Sequence, residues 1–374
     1  MTTVTPYTVT GPEFSFPPGN TATSMGRPPF LDLALPFNQL PPALQGMQTH
    51  LLYIDPQSNI FDLAGPQRGR QGVRLASQII GDQSWPFEQV LINSPYMMGA
   101  SIQRQNISER HFNLNIIIGN HAPPMTEYQY RMAEQHWWAG QDETNDGWLG
   151  VYTRFSGWRW IPVRPEKTVA TPQKIDPTAF GNNCSSWDIT WIASRPYFTK
   201  VALSLPFTAA TAGPAKPPPG SLLNIAIDEL IGQKYYWGTL PIANRGDLPS
   251  YVTYFVSSPG QAIVQDNTST RLVALPNTTP SVGTFMCDTE PGNRTLTAAN
   301  DPQDNLLFDL IRQSQILDFF LSGIANEGLP LQLQFQNRFI FTIPPKTVCQ
   351  FTVGHSEPNG VIVAQVPQRF KRSR

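Results

Sequence analysis

Along most of this chain apolar and polar residues alternate with a period of two, and Gly, Pro, Asn or Asp interrupt the alternation every few residues. That period puts successive side chains on opposite faces of a strand, so the pattern predicts antiparallel sheets with one packed face. Leu51–Ile54 and Ile60–Leu63 flank the turn Asp55-Pro56-Gln57-Ser58-Asn59, followed by Val73–Ile80, Phe87–Asn93, Met97–Arg104 and Arg110–Ile118. The last is the clearest, with Phe112, Leu114, Ile116 and Ile118 all on one face. Gly147–Phe155, Trp158–Val163 and Ser185–Ala193 continue the series. Thr126–Gly140 departs from it: Tyr130, Ala133, Trp137 and Trp138 recur at helical spacing, with Thr126 as the cap and Gly140 as the stop.

Past residue 234 the strand pattern resumes at Tyr235–Ile242, Tyr251–Val256, Ala262–Gln265, Arg271–Leu275, Thr284–Asp288 and Arg294–Leu296. It ends with Arg338–Ile343, Thr347–Val353 and Gly360–Val366. Asn305–Ser322 is apolar on more than one helical side and reads as a buried helix, with a docking helix as the alternative. The expected organisation is a Pro-rich extended arm at 1–47, a β domain at 48–205, a linker at 206–234 and a second β domain at 235–374. The arm carries Pro17-Pro18, Pro28-Pro29 and Pro41-Pro42, which fix φ and remove donors, so it cannot occupy the middle of a sheet. The linker opens on PFTAATAGPAKPPPG, semi-rigid at its proline run.

Composition narrows the function classes. The 374 residues include 37 Pro and 27 Gly, a turn-rich content below that of low-complexity chains, and 21 Phe, 11 Tyr and 9 Trp supply a core. Only 14% of residues are charged and the net charge is −1, so no basic field exists to neutralise phosphates, and specific nucleic-acid binding is not expected. The one basic cluster, residues 369–374, reads as a solvated tail. No apolar run approaches a membrane span, and the first 30 residues lack a signal-peptide core, so neither membrane insertion nor processing is expected. Cys184, Cys287 and Cys349 are too few and too scattered for a disulfide framework or a zinc site. Five Asn-x-Ser/Thr sites, at Asn106, Asn183, Asn267, Asn277 and Asn293, read as β-turn chemistry.

Several segments, in order, resemble one family. Tyr53-Ile54-Asp55-Pro56, Phe61-Asp62-Leu63-Ala64-Gly65 and Gly72-Val73-Arg74-Leu75-Ala76 are similar to the opening of distal tail proteins, or minor tail proteins, of long non-contractile-tailed bacteriophages. Glu109–Ile116, Asp146–Thr153, Trp187-Asp188-Ile189-Thr190-Trp191 and Ala193-Ser194-Arg195-Pro196-Tyr197 continue the likeness. Ala243–Ser250, Ser258-Pro259-Gly260 and Cys287–Thr295 resemble the galectin-like part of the same proteins. The arm before residue 48 and the stretch near 305–322 depart from the family. The resemblance implies an all-β chain with an N-terminal belt β-sandwich domain and a C-terminal galectin-like β-sandwich domain. It further implies a homohexameric ring adaptor joining the tail tube to the tail-tip hub and leaving a central channel for DNA. The tail tube protein, the hub protein and the tape-measure protein are then the expected partners, and the expected place is the virion tail tip after synthesis in the host cytoplasm.

Candidate residues follow from that frame. Trp137, Trp138, Trp148, Trp158 and Trp160 are candidates for a ring or subunit interface, with ordinary core and glycan contact as the alternatives. Trp158 and Trp160 share a strand face opposite Arg159. Asp142, Glu143 and Asp146 read as a solvated acidic loop, as a channel-facing loop repelling DNA, or as paired acids for glycoside hydrolysis. The five histidines form no i, i+4 metal pair and no nucleophile motif is present, so no catalytic residue, metal or cofactor is expected. Against the adaptor reading stand a carbohydrate-binding tail-tip module touching the host surface and, third, a β-sandwich glycoside hydrolase.

Overall fold

The computed structural model describes residues 49–77, 79–93, 98–119, 125–167, 169, 176–181, 183–209, 235–298, 331–335 and 337–374. The arm at 1–47, the linker beyond residue 209 and the 305–322 stretch lie outside these described residues.

The N-terminal half holds β1 (His50–Ile54), β2 (Ile60–Ala64), β3 (Val73–Leu75), β4 (Phe87–Asn93), β5 (Ala100–Ile107) and β6 (Arg110–Gly119). After these come α1 (Glu127–Ala139), β7 (Gly147–Thr153), β8 (Gly157–Pro165), β9 (Cys184–Ala193) and β10 (Phe198–Thr208). The C-terminal half holds β11 (Tyr236–Asn244), β12 (Thr253–Val256), β13 (Ala262–Gln265), β14 (Leu272–Ala274), β15 (Phe285–Asp288), β16 (Leu296–Ala298), β17 (Thr347–His355) and β18 (Val361–Phe370). The fold is all-β, and its strands form three sheets, of twelve, four and two strands.

Each half has its own apolar core between two layers. In the first, β1, β2, β7 and β8 face β3, β6 and β9, burying Phe61, Leu149 and Val163 against Phe112, Ile116 and Trp191. The alternation along β6 sets this register: Phe112, Leu114 and Ile116 lie opposite Trp191, Ile189 and Trp187 of β9. Helix α1 closes one end. Thr126 Oγ1 accepts from Gln129 N, Gln129 Oε1 accepts from Thr126 N, and the helix stops at Gly140, as its sequence predicts. Its buried residues are Tyr130, Ala133 and Trp137, and Trp137 meets Phe61 edge-on at 5.0 Å. In the second half, β11, β17, β13 and β14 pack over β12, β15, β16 and β18.

Two strands cross from one core to the other. β10 and β18 pair along their length, from Phe198↔Phe370 in the first core to Phe207↔Ile362 in the second. The alternation had not marked residues 198–208 as a strand, because Pro206 opens the Pro-rich run. Proline is tolerated here because, among the described residues, β10 pairs with β8 through Thr199 alone, which leaves β10 an open side at Pro206.

The expectation of a solvated tail at 369–374 holds for Lys371, Arg372 and Arg374, which are exposed, and fails for the other three residues. Arg369, Phe370 and Ser373 are buried. Arg110, itself buried, donates to Lys371 O at 2.6 Å, and Ser373 Oγ donates to Asp82 at 2.9 Å. Burial pulls the Arg110 guanidinium down to about 10, against the opposing pull of Asp82. Residues 338–343 are also not a strand. Ile343 makes one bridge to Ser250, while the buried Asp266 carboxylate accepts from Ile340 N and Phe341 N and so takes the donors a ladder would use. Val73–Ile80 splits as well: β3 ends at Leu75, and the chain rejoins β6 at Ile80↔Asn113.

Candidate assembly surface

The β4–β5 hairpin stands apart from both cores. Its strands pair only with each other among the described residues. On one face Phe87 lies opposite Ile107, Gln89 opposite Gln105, and Leu91 opposite Ile102. On the other, Glu88, Val90 and Ile92 lie opposite Asn106, Arg104 and Ser101, with the register shifting between Val90 and Leu91. Except for half-buried Val90, every residue of both strands is exposed. Phe87 (51%), Leu91 (53%), Ile92 (47%), Ile102 (61%) and Ile107 (54%) are all large apolar groups left in water. A two-stranded ribbon is marginal alone, and covering these side chains would contribute about 1 kcal/mol each. At its base the hairpin overhangs an open cleft of about 610 Å³, with Trp85, Phe87 and Gln105 on one side and Lys346, Lys371 and Arg372 on the other.

Sequence reasoning missed this surface. The signal was present, since Phe87, Val90, Leu91 and Ile92 occupy both parities of one strand. A half-buried strand shows apolar residues at one parity only, so this pattern has no solvent face.

The tryptophans read as candidate interface residues divide. Trp137 and Trp160 are fully buried and Trp158 nearly so, which corrects the interface reading for these three: they have no surface to offer another subunit. Trp137 packs in the first core. Trp158 stacks on Trp160 at 5.1 Å in a smaller cluster on the far face of β7 and β8, with Tyr152 and Ile54. Gly150 makes that cluster possible, because a Cβ there would lie 2.4 Å from the Trp160 ring. Trp138 and Trp148 are half-buried, Trp138 against Trp187 at 4.6 Å.

The acidic loop is used locally. Asp142 accepts from Thr144 N and Oγ1, both at 2.7 Å, and from Asn145 N and Nδ2, at 3.2 and 2.7 Å. These donors hold its carboxyl well below the usual carboxylate range. Asp146 accepts from Arg164 Nε at 2.7 Å, and Glu143 alone is exposed. The structure brings the three acids into one turn, whose carboxylates organise backbone and a cation. Among the described residues no three His, Cys, Asp or Glu side chains gather into a metal-binding group, and the three cysteines are free.

No family model and no curated protein sequence matches the chain. Solved structures are similar in fold. One is the Dit (gp 19.1) protein of SPP1, described as a paradigm of the hub adsorption apparatus in Gram-positive infecting phages. It aligns at 10% identity and a TM-score of 0.47 over 86% of this chain and 99% of its own. Chains of the phage p2 baseplate in its activated conformation align at 9% identity and TM-score 0.49 with Sr, and at 10% and 0.48 with Ca. These cover 87% of this chain and 99% and 100% of their own.

Proposed function

We propose that this chain is a structural protein of a phage tail tip, a ring-forming adaptor between the tail tube and the tip hub. The observation that carries the reading is the β4–β5 hairpin, a ribbon with large apolar residues on both faces and, among the described residues, two unpaired edges. Such a ribbon is complete only when another molecule covers it. In a ring the same patch of each copy meets a different patch of the next, and closure leaves no hairpin uncovered. Six copies, a belt made by the N-terminal half, a galectin-like outer half and an open centre for DNA are what the sequence resemblance adds. The acidic loop would then face solvent or the channel, with Glu143 its one unshielded carboxylate.

Mass photometry and negative-stain electron microscopy of the purified chain test the reading. The expected result is a six-fold ring with a central hole, converted to smaller species by Leu91→Asp or Ile102→Asp with circular dichroism unchanged. A monomer at micromolar concentration, indifferent to those substitutions, overturns it. If that monomer also binds on a glycan array, the carbohydrate-binding reading takes its place.

A further inference from the structure

The turn between β7 and β8 borders a second open cleft, of about 460 Å³, lined by Arg154, Arg159, Arg374 and the hydroxyl residues Thr49, Thr153 and Ser156. We propose that this cleft is an oxyanion site that takes a phosphate group.

Arg159 is the central observation. Its guanidinium lies 3.9 Å from the Phe370 ring centre and donates from Nη1 to Arg372 O at 2.9 Å, while its buried Nε has no acceptor. No carboxylate lies within ion-pair distance of it among the described residues, and Asp247 acts on it only at longer range. A cation partly removed from water without a counter-charge is unfavourable, and an anion beside it removes that penalty. The same desolvation lowers its pKa.

The surroundings add donors. Arg374 reaches Thr49 Oγ1 at 3.4 Å and lies 3.7 Å from Asp82, a carboxylate already shared with Ser373 and Gln83. Arg154 is exposed on the turn itself. A carboxylate is satisfied by one planar guanidinium fork, whereas a tetrahedral phosphate uses donors from several directions. Three guanidiniums around one opening fit the latter, while the Thr153 and Ser156 hydroxyls bond each other and shape the turn that carries Arg154.

Isothermal titration of the full chain with inorganic phosphate, and separately with dimethyl phosphate, at constant ionic strength tests the site. Saturable binding of inorganic phosphate is expected with Kd on the order of 1 mM, as suits a small ion in an open cleft. Equal binding of dimethyl phosphate identifies phosphodiester groups of a polymer as the source. Binding of inorganic phosphate alone identifies a free or terminal phosphate. Arg159→Gln should weaken binding about tenfold and Arg154→Gln roughly threefold. Arg154 is exposed, so its variant carries the test if Arg159→Gln fails to fold. No saturable heat with either probe, or affinity unchanged in the variants that fold, overturns the proposal.

Discussion

Arg369 Nη2 lies 2.8 Å from a carboxylate oxygen of Glu290, and at this carboxylate an arginine from each half of the molecule meets. Arg369 is on β18, Glu290 follows β15, and Arg195, which follows β9, approaches the same carboxylate at 3.8 Å. The Arg369 guanidinium also sits over Tyr197 at 4.7 Å and Tyr251 at 5.5 Å. Its side chain is 8% exposed, so losing Glu290 strands a charge and losing Arg369 also removes packing. Arg369→Ala should cost about 3 kcal/mol and Glu290→Gln about 1–2 kcal/mol in urea unfolding. A double-mutant cycle should return a coupling above about 1 kcal/mol, and simple additivity would deny the pair its role.

Phe370 closes the first core opposite Phe198. Phe370→Ala should destabilise that half by about 3 kcal/mol, read as a lower midpoint in the fluorescence of its tryptophans. Deleting residues 369–374 should do more, because Arg110 and Asp82 then lose the groups they bind. A deletion with an unchanged midpoint would return these residues to the status of a tail.

His111 bridges two carboxylates, Glu166 at 3.0 Å and Glu109 at 3.6 Å, and the Glu166 hydrogen bond is the main cause that raises its pKa. The folded state therefore holds the proton more tightly than the unfolded chain. This contribution is complete below the unfolded value of about 6.5 and disappears as pH rises through the folded value. The ring is 45% exposed, so the effect should stay under about 1 kcal/mol. Urea midpoints of wild type and His111→Gln should differ at pH 5.5 and converge at pH 8.5. A constant difference would mean that protonation plays no part.

Gly150 lies flat under the Trp160 ring. Gly150→Ala forces the ring to move and should cost about 1–3 kcal/mol, with a shifted tryptophan emission. An unchanged spectrum and midpoint would show that the cluster of Trp158, Trp160 and Tyr152 has room to adjust.

Much of the fold was legible where one local rule acted alone. The cap at Thr126, the stop at Gly140 and the alternation along β6 needed no knowledge of distant residues. Strand β10 was hidden because Pro206 is acceptable only given the open side that tertiary pairing creates. The segment 369–374 misled because charge reads as solvation, and the Glu290 and Asp82 carboxylates and carbonyl-seeking Arg110 that receive it lie far away in sequence. Burial likewise sorted the tryptophans: alternation correctly put Trp158 and Trp160 on one face but could not show that this face, too, is covered.

β18 is made after everything it pairs with. While residues 361–370 are still in the ribosome, β10 and β12 both present open edges, and Phe198 lacks its partner. Both cores are then finished by one late event, so each half ripens with the other, and a chain released early carries unsealed edges in both.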